Sequence, residues 1–223
     1  MENLKLKKHH KLIIAADGSA ASGKTTGAKK ISKKYGLKFL SSGLLYRFAS
    51  HQILKYRPKN KIAFLKKKFR KLNLKKLNNM NLHSTTISEN TSVIAKEKKI
   101  RLILKSFQKK FSKKFNKVCI EGRDIGTVIL PKADIKFFFK CDINTAAKRR
   151  FKELKKKNKK IKFLTVKKQL QIRNFRDVTR KNSPLLKSSD AVIVDTGKLR
   201  KIPQMMKKMS GVVEEKIKSK YGS

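Results

Sequence analysis

Apolar residues gather in five short runs along the chain, and polar or helical segments separate each run from the next. The first run, KLIIAADG at 11–18, is almost wholly apolar and ends at a glycine, which is typical of a strand buried on both faces of a parallel sheet. Because strand and helix alternate, we expect an α/β fold with helices on both faces of the sheet. The predicted strands are residues 11–18, 37–43, 117–122, 133–142 and 191–196.

Apolar residues spaced three and four apart predict helices between these strands. Residues 25–36 end at a glycine, and residues 144–157 open on Asn144 as a predicted N-cap. Residues 57–90 are polar and lysine-rich with little regular pattern, and within them we expect NLKKLNNMNLH, at 73–83, to form short strands or loop. The other predicted helices are residues 44–56, 87–114 and 163–181, and the tail to about Lys220.

The segment GSAASGKT at 18–25 lies between the first predicted strand and the helix that follows it. It matches the pattern GxxxxGK[ST], in which glycines let backbone N–H groups face a phosphate at a helix N-terminus. The motif predicts that Lys24 holds the β- and γ-phosphates of a nucleoside triphosphate and that the Thr25 hydroxyl is a ligand of Mg²⁺. The predicted nucleotide-binding residues are Gly18, Ser19, Ala20, Ala21, Ser22, Gly23, Lys24, Thr25 and Thr26.

The formal net charge is +47, and of 61 basic residues only 11 are arginine. The lysines are spread over almost every segment, which is typical of solvated surfaces, although a basic surface also binds nucleic acids by releasing counterions. The planar guanidinium of arginine forms bidentate hydrogen bonds to a phosphate or a base edge, so clustered arginines indicate a binding site. These are Arg47, Arg101, Arg123, Arg149, Arg150, Arg173, Arg176 and Arg180.

Three arginine-containing motifs place charge around the predicted phosphate loop. SSGLLYR at 41–47 closes the second strand and EGRDIGT at 121–127 closes the third, and ligands of open α/β sheets bind at these carboxyl ends. In RNFRDVTR at 173–180, three arginines and Asp177 share one helix face. We interpret that face as a lid that closes over phosphate, rather than as a solvated surface.

The motifs DGSAASGKTT, SSGLLYR, EGRDIGTVILPKADIKFFF and RNFRDVTRKNSPL resemble, in this order, those of the bacterial cytidylate kinase family. The resemblance extends over about residues 11–197. It implies a single P-loop NTPase-type domain over residues 1–223, with a shortened insert for the nucleoside monophosphate at 51–90 and a helical lid at 149–182. The chain departs from the family at Ser41, where aspartate is usual, and at 57–90, which is short for the family's small sheet.

The reaction that the resemblance implies is phosphoryl transfer from ATP, with Mg²⁺, to CMP or dCMP in pyrimidine nucleotide metabolism, by a monomer. The first apolar run is too short for an export signal and no run is long enough to span a membrane, so we expect a cytoplasmic protein without membrane contact. Nonspecific contact with nucleic acid is expected from the basic surface. Two other functions stay open: a P-loop kinase for UMP, AMP or dTMP, and a nucleic-acid-binding protein with a relic P-loop.

The expected site residues fall into four groups. The acceptor phosphate is largely dianionic at neutral pH and needs no general base, so catalysis requires positive charge, from Lys24, Arg150 and Arg173. Cytosine offers an N4–H₂ donor beside acceptors, which calls for a carboxylate with hydroxyl or arginine donors. The resemblance assigns the base to Ser42, Arg101, Asp124 and Arg180, the acceptor phosphate to Arg47 and Arg123, and the sugar to Ser92, Arg173 and Asp177. Glu121 is either a Mg²⁺ partner through water or a structural carboxylate.

Overall fold

The computed structural model describes residues 6–7, 9–156, 159–199 and 201–222, so two residues of the predicted lid lie outside the described part. The strands are β1 (Leu12–Gly18), β2 (Lys38–Ser41), β3 (Lys117–Gly122), β4 (Ile135–Lys140) and β5 (Val192–Asp195). The helices are α1 (Lys24–Lys34), α2 (Ser42–Tyr56), α3 (Lys61–Arg70), α4 (Leu74–Asn79), α5 (Thr85–Ile94), α6 (Lys98–Lys114), α7 (Ile143–Lys155), α8 (Phe163–Thr179) and α9 (Ile202–Tyr221). A π-helical segment spans Ile125–Ile129.

The five strands form one parallel sheet in the order β2-β3-β1-β4-β5. The prediction of an α/β fold with about five parallel strands is therefore confirmed. The strand ends lie level, because Asp17 pairs with Gly122 and Ser41 pairs with Glu121 in the sheet register. The loops that follow β1, β2 and β3 consequently meet at one edge of the sheet, where ligands of such sheets bind.

Alternate residues of the strands supply two separate cores, one on each face of the sheet. Ala15 and Ile120 belong to the core that faces the helices from α2 to α6. Ile14 and Phe139 belong to the core that faces α1 and α9. Among the described residues, no helix is long and apolar enough to cross a membrane.

Residues 57–90 form helices α3 and α4 and the start of α5. Within the stretch 73–83, the prediction of short strands or loop is wrong for Leu74–Asn79, which form α4, whereas residues 80–83 belong to no helix or strand. Each helix has a polar N-cap, since the side chains of Asn60, Asn73 and Ser84 accept hydrogen bonds from the backbone N–H groups of the first turn. Few apolar residues of α3 and α4 are buried, and the lysines around them hide the helical period in the sequence.

Two further predictions about helices need correction. The helix predicted over 87–114 is broken, because α5 ends at Ile94 and α6 begins at Lys98. The N-cap of α7 is Asp142 rather than Asn144, since the Asp142 carboxylate accepts a hydrogen bond from the N–H of Thr145 at 2.8 Å. The remaining predicted helices differ from the observed ones only by about two residues at their ends, which is the usual uncertainty of helix boundaries.

Candidate active site

The loop between β1 and α1 has the geometry of an anion cradle. Gly18 has φ 155°, and a Cβ at this position would lie 2.4 Å from the carbonyl oxygen of Phe139. Gly23 has φ 79° and is the N-cap of α1, where no side chain caps the helix. The first N–H groups of α1 are therefore open to an anion, and they lie at the positive end of the helix dipole.

Lys24 is the buried cation of this loop. Its Nζ donates a hydrogen bond to the carbonyl oxygen of Ser19 at 3.1 Å. Burial is the largest cause that lowers the pKa of Lys24 to about 7, and the charge of Arg123 acts in the same direction against the opposing charge of Glu121. An anion bound beside Lys24 would remove this penalty, because it would favour the charged ammonium.

The residues near the loop fit a magnesium ion. Thr25 is exposed and lines the same cavity as Glu121. The Oε1 atom of Glu121 accepts a hydrogen bond from Ser41, whereas its buried Oε2 atom has no hydrogen-bond partner. In the described part of the chain, no three His, Cys, Asp or Glu residues form a metal-binding group. A magnesium ion here would therefore rely on the Thr25 hydroxyl, phosphate oxygens and water, with Glu121 Oε2 as an acceptor for that water.

Seven lysine and arginine side chains line one cavity of about 460 Å³ above the loop. They are Lys24, Lys29, Arg47, Arg123, Arg149, Arg150 and Arg173. Burial, followed by the charge of Arg123, lowers the pKa of Arg173 to about 10. Arg150 lies nearer the surface and pairs with Glu153 at 3.0 Å. Such a concentration of like charge is electrostatically unfavourable by itself, and it indicates a site for a polyanion.

Arg47 is fixed by the segment that precedes α5 and by α5 itself. Its Nη1 atom donates to the carbonyl oxygen of Leu82 at 2.9 Å and to the hydroxyl of Ser88 at 2.8 Å. Burial is the largest cause that lowers its pKa to about 9, and the charges of Arg173, Arg150 and Arg123 act in the same direction. Arg47 therefore remains charged at neutral pH and carries part of the cavity's positive potential.

Beside this cavity, a narrow cleft contains the residues expected to bind the base. Arg101 and Asp124 form a buried ion pair there, and Arg101 also donates to the carbonyl oxygen of Ala95 at 3.0 Å. Burial raises the pKa of Tyr46 to about 12, and its ring lies 5.6 Å from the Arg101 guanidinium. Ser42, at the start of α2, is buried in the same cleft.

Asp177, which lies in the predicted lid helix α8, links that helix to the end of β3. Its carboxylate accepts hydrogen bonds from Arg123 Nε at 2.8 Å and from Arg180 Nη1 at 3.5 Å. Burial acts to raise the pKa of Asp177, but the charges of Arg123 and Arg173 outweigh it and hold the pKa below its usual value. The Nη2 atom of Arg180 is buried without a hydrogen-bond partner, so it is a donor available to a ligand.

Between them, the cavity and the cleft are lined by all the expected site residues except Gly18, Ser19 and Ser22 of the loop. Ser92 lies in the cleft with Arg173 and Asp177, where its hydroxyl accepts a hydrogen bond from Arg176 Nη1 at 2.9 Å. Arg123 and Arg173 line both the cleft and the larger cavity, so the two spaces form one crevice. The predicted donor and acceptor sites are thus neighbours.

Sequence reasoning missed several residues of the crevice. Asp17 accepts hydrogen bonds from the N–H groups of Ile125 and Gly126 at 2.8 and 2.7 Å and so positions the segment after Arg123. Burial raises the pKa of Asp17 to about 6. Its place at the end of β1, directly before the phosphate loop, was the available signal.

Two more residues near the loop were given no specific role, although Arg149 is one of the clustered arginines. Arg149 donates to the hydroxyl and to the carbonyl oxygen of Thr196 at 2.9 and 2.8 Å, and the Thr196 hydroxyl donates to the carbonyl oxygen of Ser22. His83 lines the larger cavity, although all four histidines lie outside the sequence motifs. Neither position follows from local pattern, because each depends on how distant segments pack.

A parallel sheet with a phosphate loop after β1 and a cation-lined cavity at its carboxyl edge defines a P-loop protein that binds phosphorylated ligands. A family model described as cytidylate kinase matches residues 14–215. The chain belongs to the cytidylate kinase family, and the resemblance carried by its motifs is confirmed.

Individual relatives agree with this membership. A protein of Bartonella tribocorum named cytidylate kinase is 39% identical over 192 residues, which cover 84% of this chain and 87% of the relative. A Clostridium botulinum protein with the same name is 35% identical over 216 residues, covering 92% and 98%. The crystal structure of an uncharacterized protein from Eubacterium ventriosum matches with a TM-score of 0.54 at 17% identity, over 91% of this chain and 98% of that one, and supports the fold alone.

Proposed function

We propose that the protein transfers the γ-phosphoryl group of ATP to CMP or dCMP, giving ADP and CDP or dCDP. The observation that carries the proposal is the shared position of Arg123, which lines both the cavity of the phosphate loop and the cleft of the Arg101–Asp124 pair. A triphosphate in the loop and a nucleoside monophosphate in the cleft would therefore meet at this arginine. The names of the relatives agree with this assignment.

In this mechanism the protein positions two anions and neutralises the charge between them. The attacking group is a phosphate oxygen of the acceptor, so no side chain needs to remove a proton. Lys24, Arg150 and Arg173 stabilise the transferring group, and Arg47 and Arg123 hold the acceptor phosphate. Burial makes the contacts of Lys24 and Arg47 stronger than they would be in water.

Magnesium supplies charge neutralisation at the phosphates when it is bound. The Thr25 hydroxyl would hold it directly, and Glu121 would hold it through water. The proposal rests on the exposed hydroxyl and on the unpartnered Oε2 atom of Glu121 in one cavity.

Base selection is assigned to the buried polar groups of the cleft. Asp124 would accept a hydrogen bond from the N4–H₂ group of cytosine. Ser42, Arg101 and Arg180 would contact the acceptor atoms of the base. Ser92, Arg173 and Asp177 would contact the sugar. A carboxylate also accepts the N3–H of uracil, so we expect weak activity with UMP.

The test is ADP production with ATP, Mg²⁺ and each of CMP, dCMP, UMP, AMP and dTMP at moderate salt. We expect turnover with CMP or dCMP well above that with the others. Equal turnover with several acceptors would retain a P-loop kinase but contradict the assignment of the base cleft. ADP production that no acceptor stimulates would contradict the kinase itself.

We also propose that the protein is a cytoplasmic monomer whose surface contacts nucleic acid without sequence preference. No acidic residue occurs between Asp17 and Glu89, a stretch that includes α1 to α4. Such a surface binds polyanions mainly through counterion release, so affinity should fall steeply as salt rises. Fluorescence anisotropy with two unrelated oligonucleotides over a salt series tests this, and a strong preference for one sequence would contradict it.

A further inference from the structure

The third residue of the phosphate loop makes a hydrogen bond to the predicted lid helix. The N–H of Ala20 donates to Oδ1 of Asn174, in α8, at 3.0 Å. Ala20 is buried and belongs to an apolar cluster with Ala147 of α7 and with Val166 and Leu170 of α8. Ala20 therefore packs against the lid helices, and its N–H group is bonded to α8 although Ala20 also lines the cavity above the loop.

Side chains from two other parts of the chain thus hold the loop. Thr196, directly after β5, donates to the carbonyl oxygen of Ser22 at 2.9 Å and ties the loop to the sheet. Asn174 ties the loop to α8, which belongs to the lid. Two further hydrogen bonds are local, since Ser22 Oγ and Lys24 Nζ both donate to the carbonyl oxygen of Ser19.

The contact has a consequence for the neighbouring residue, Arg173. Arg173 lines the cavity that contains Lys24, and its charge contributes to lowering the pKa of Lys24. One residue later, Asn174 is bonded to the loop that carries Lys24. The hydrogen bond therefore sets the position of the Arg173 backbone relative to the site where the phosphates bind.

We propose that Asn174 is a positioning residue, which docks α8 on the phosphate loop through Ala20 and so places Arg173 beside the transferring phosphoryl group. The proposal rests on the proposed kinase function for its catalytic consequence, but the docking contact itself does not depend on that function. The docking contact requires a hydrogen-bond acceptor at the δ position of residue 174. Aspartate keeps such an atom, whereas alanine has none.

The kinetic test compares Asn174→Ala, Asn174→Asp and a control, Gln171→Ala, which alters an exposed residue of the same helix. We expect Asn174→Ala to lower kcat for CMP phosphorylation about tenfold, with the KM for ATP changed less than about twofold, because the phosphate cradle itself is intact. The fraction of ATP hydrolysed without acceptor should rise, since a poorly docked lid admits water. Asn174→Asp should recover most of kcat, and Gln171→Ala should behave as the unaltered protein.

A second measurement reads the docking contact without any activity. Hydrogen exchange of the peptide that contains Ala20 should be about five- to tenfold faster in Asn174→Ala than in the unaltered protein, and close to normal in Asn174→Asp. Faster exchange with unchanged kcat would overturn the positioning role. Unchanged exchange would overturn the docking itself. If CMP is not phosphorylated at all, the proposed function fails, while the exchange rates still decide whether Asn174 docks α8.

Discussion

The two halves of the crevice hold their ligands by different means. The donor half presents backbone N–H groups from a loop of small residues, and Lys24 is its one charged side chain within residues 18–25. The acceptor half presents buried ionised side chains, such as the Arg101–Asp124 pair and Asp177 with its two arginines. Backbone recognition depends on the conformation of one short segment, whereas side-chain recognition depends on the assembly of several distant elements.

This difference predicts different sensitivities to substitution. The donor half should be sensitive at Gly18, where a Cβ would lie 2.4 Å from the carbonyl oxygen of Phe139, and at Lys24, the proposed source of charge at the point of transfer. The acceptor half should respond mainly in base selection, because its side chains distinguish one ligand from another. Asp17 links the two halves, since it ends β1 before the loop and holds the segment after Arg123.

The largest expected effect is on the donor side. Lys24→Met should lower kcat about 10²- to 10³-fold, because it removes the buried cation proposed to stabilise the transferring phosphoryl group. Lys30→Met, at an exposed position on the same helix, is the matched control. Steady-state ADP production with CMP measures both variants. A Lys24→Met protein within about threefold of the unaltered rate would refute the donor-side role.

On the acceptor side, Asp124→Asn should lower the preference for CMP over UMP about 10- to 100-fold, because the amide N–H₂ can donate to O4 of uracil and a good hydrogen-bonding pair contributes about 1–3 kcal/mol of base discrimination. The amide also leaves Arg101 without its ionised partner, so thermal unfolding should be followed in parallel. Glu215→Gln, which changes an exposed carboxylate of α9, is the control for net charge. Retention of the full CMP preference in a folded Asp124→Asn protein would eliminate Asp124 as the residue that reads the base.

The same contrast explains how much of the site the sequence could predict. The donor loop is a local pattern of eight residues between a strand and a helix, so motif and conformation are predicted together. The acceptor residues were predicted by type from motifs, but their pairing was not. Arg101 and Asp124 lie 23 positions apart, and Arg123 and Asp177 lie 54 apart, so their contacts exist only after the helices pack against the sheet.

The fold shows the same limit at residues 57–90. The five strands were predicted because buried parallel strands are continuously apolar, and that signal survives a lysine-rich composition. Helices α3 and α4 lie at the surface with few buried positions, such as Leu65, Phe69 and Leu77, so their period is weak. Their N-caps at Asn60 and Asn73 were the clearer local signals.

The third prediction uses proton uptake on ligand binding to distinguish the donor half of the crevice from the acceptor half. The pKa of Lys24 is lowered to about 7 by burial in the free protein, and bound phosphates should raise it, since they favour the ammonium. At pH 8 Lys24 is mainly neutral, so MgATP binding should take up most of one proton, whereas at pH 6 Lys24 is already charged and uptake should vanish.

Calorimetry in buffers of different ionisation enthalpy measures this uptake. The proton uptake measured with Lys24→Met is subtracted, which removes the contribution from the nucleotide's own change of protonation on binding. CMP should cause no comparable uptake at pH 8, because Arg47 and Arg173, with pKa values of about 9 and 10, are already charged. Equal uptake with the two ligands would contradict the assignment of the titrating group to the donor half.

The smallest expected effect is at Ser41, where the family usually has aspartate. The Ser41 side chain caps α2 by accepting a hydrogen bond from the N–H of Leu44 at 3.2 Å, and it donates to Glu121. Ser41→Ala should therefore lower the free energy of unfolding by about 1 kcal/mol, the usual cost of a lost N-cap, as measured by urea denaturation. The CMP-to-UMP preference should stay unchanged, because Ser41 lines the phosphate cavity rather than the base cleft. A changed preference would mean that base selection extends beyond the acceptor side chains and that the two halves are less separate than their contacts indicate.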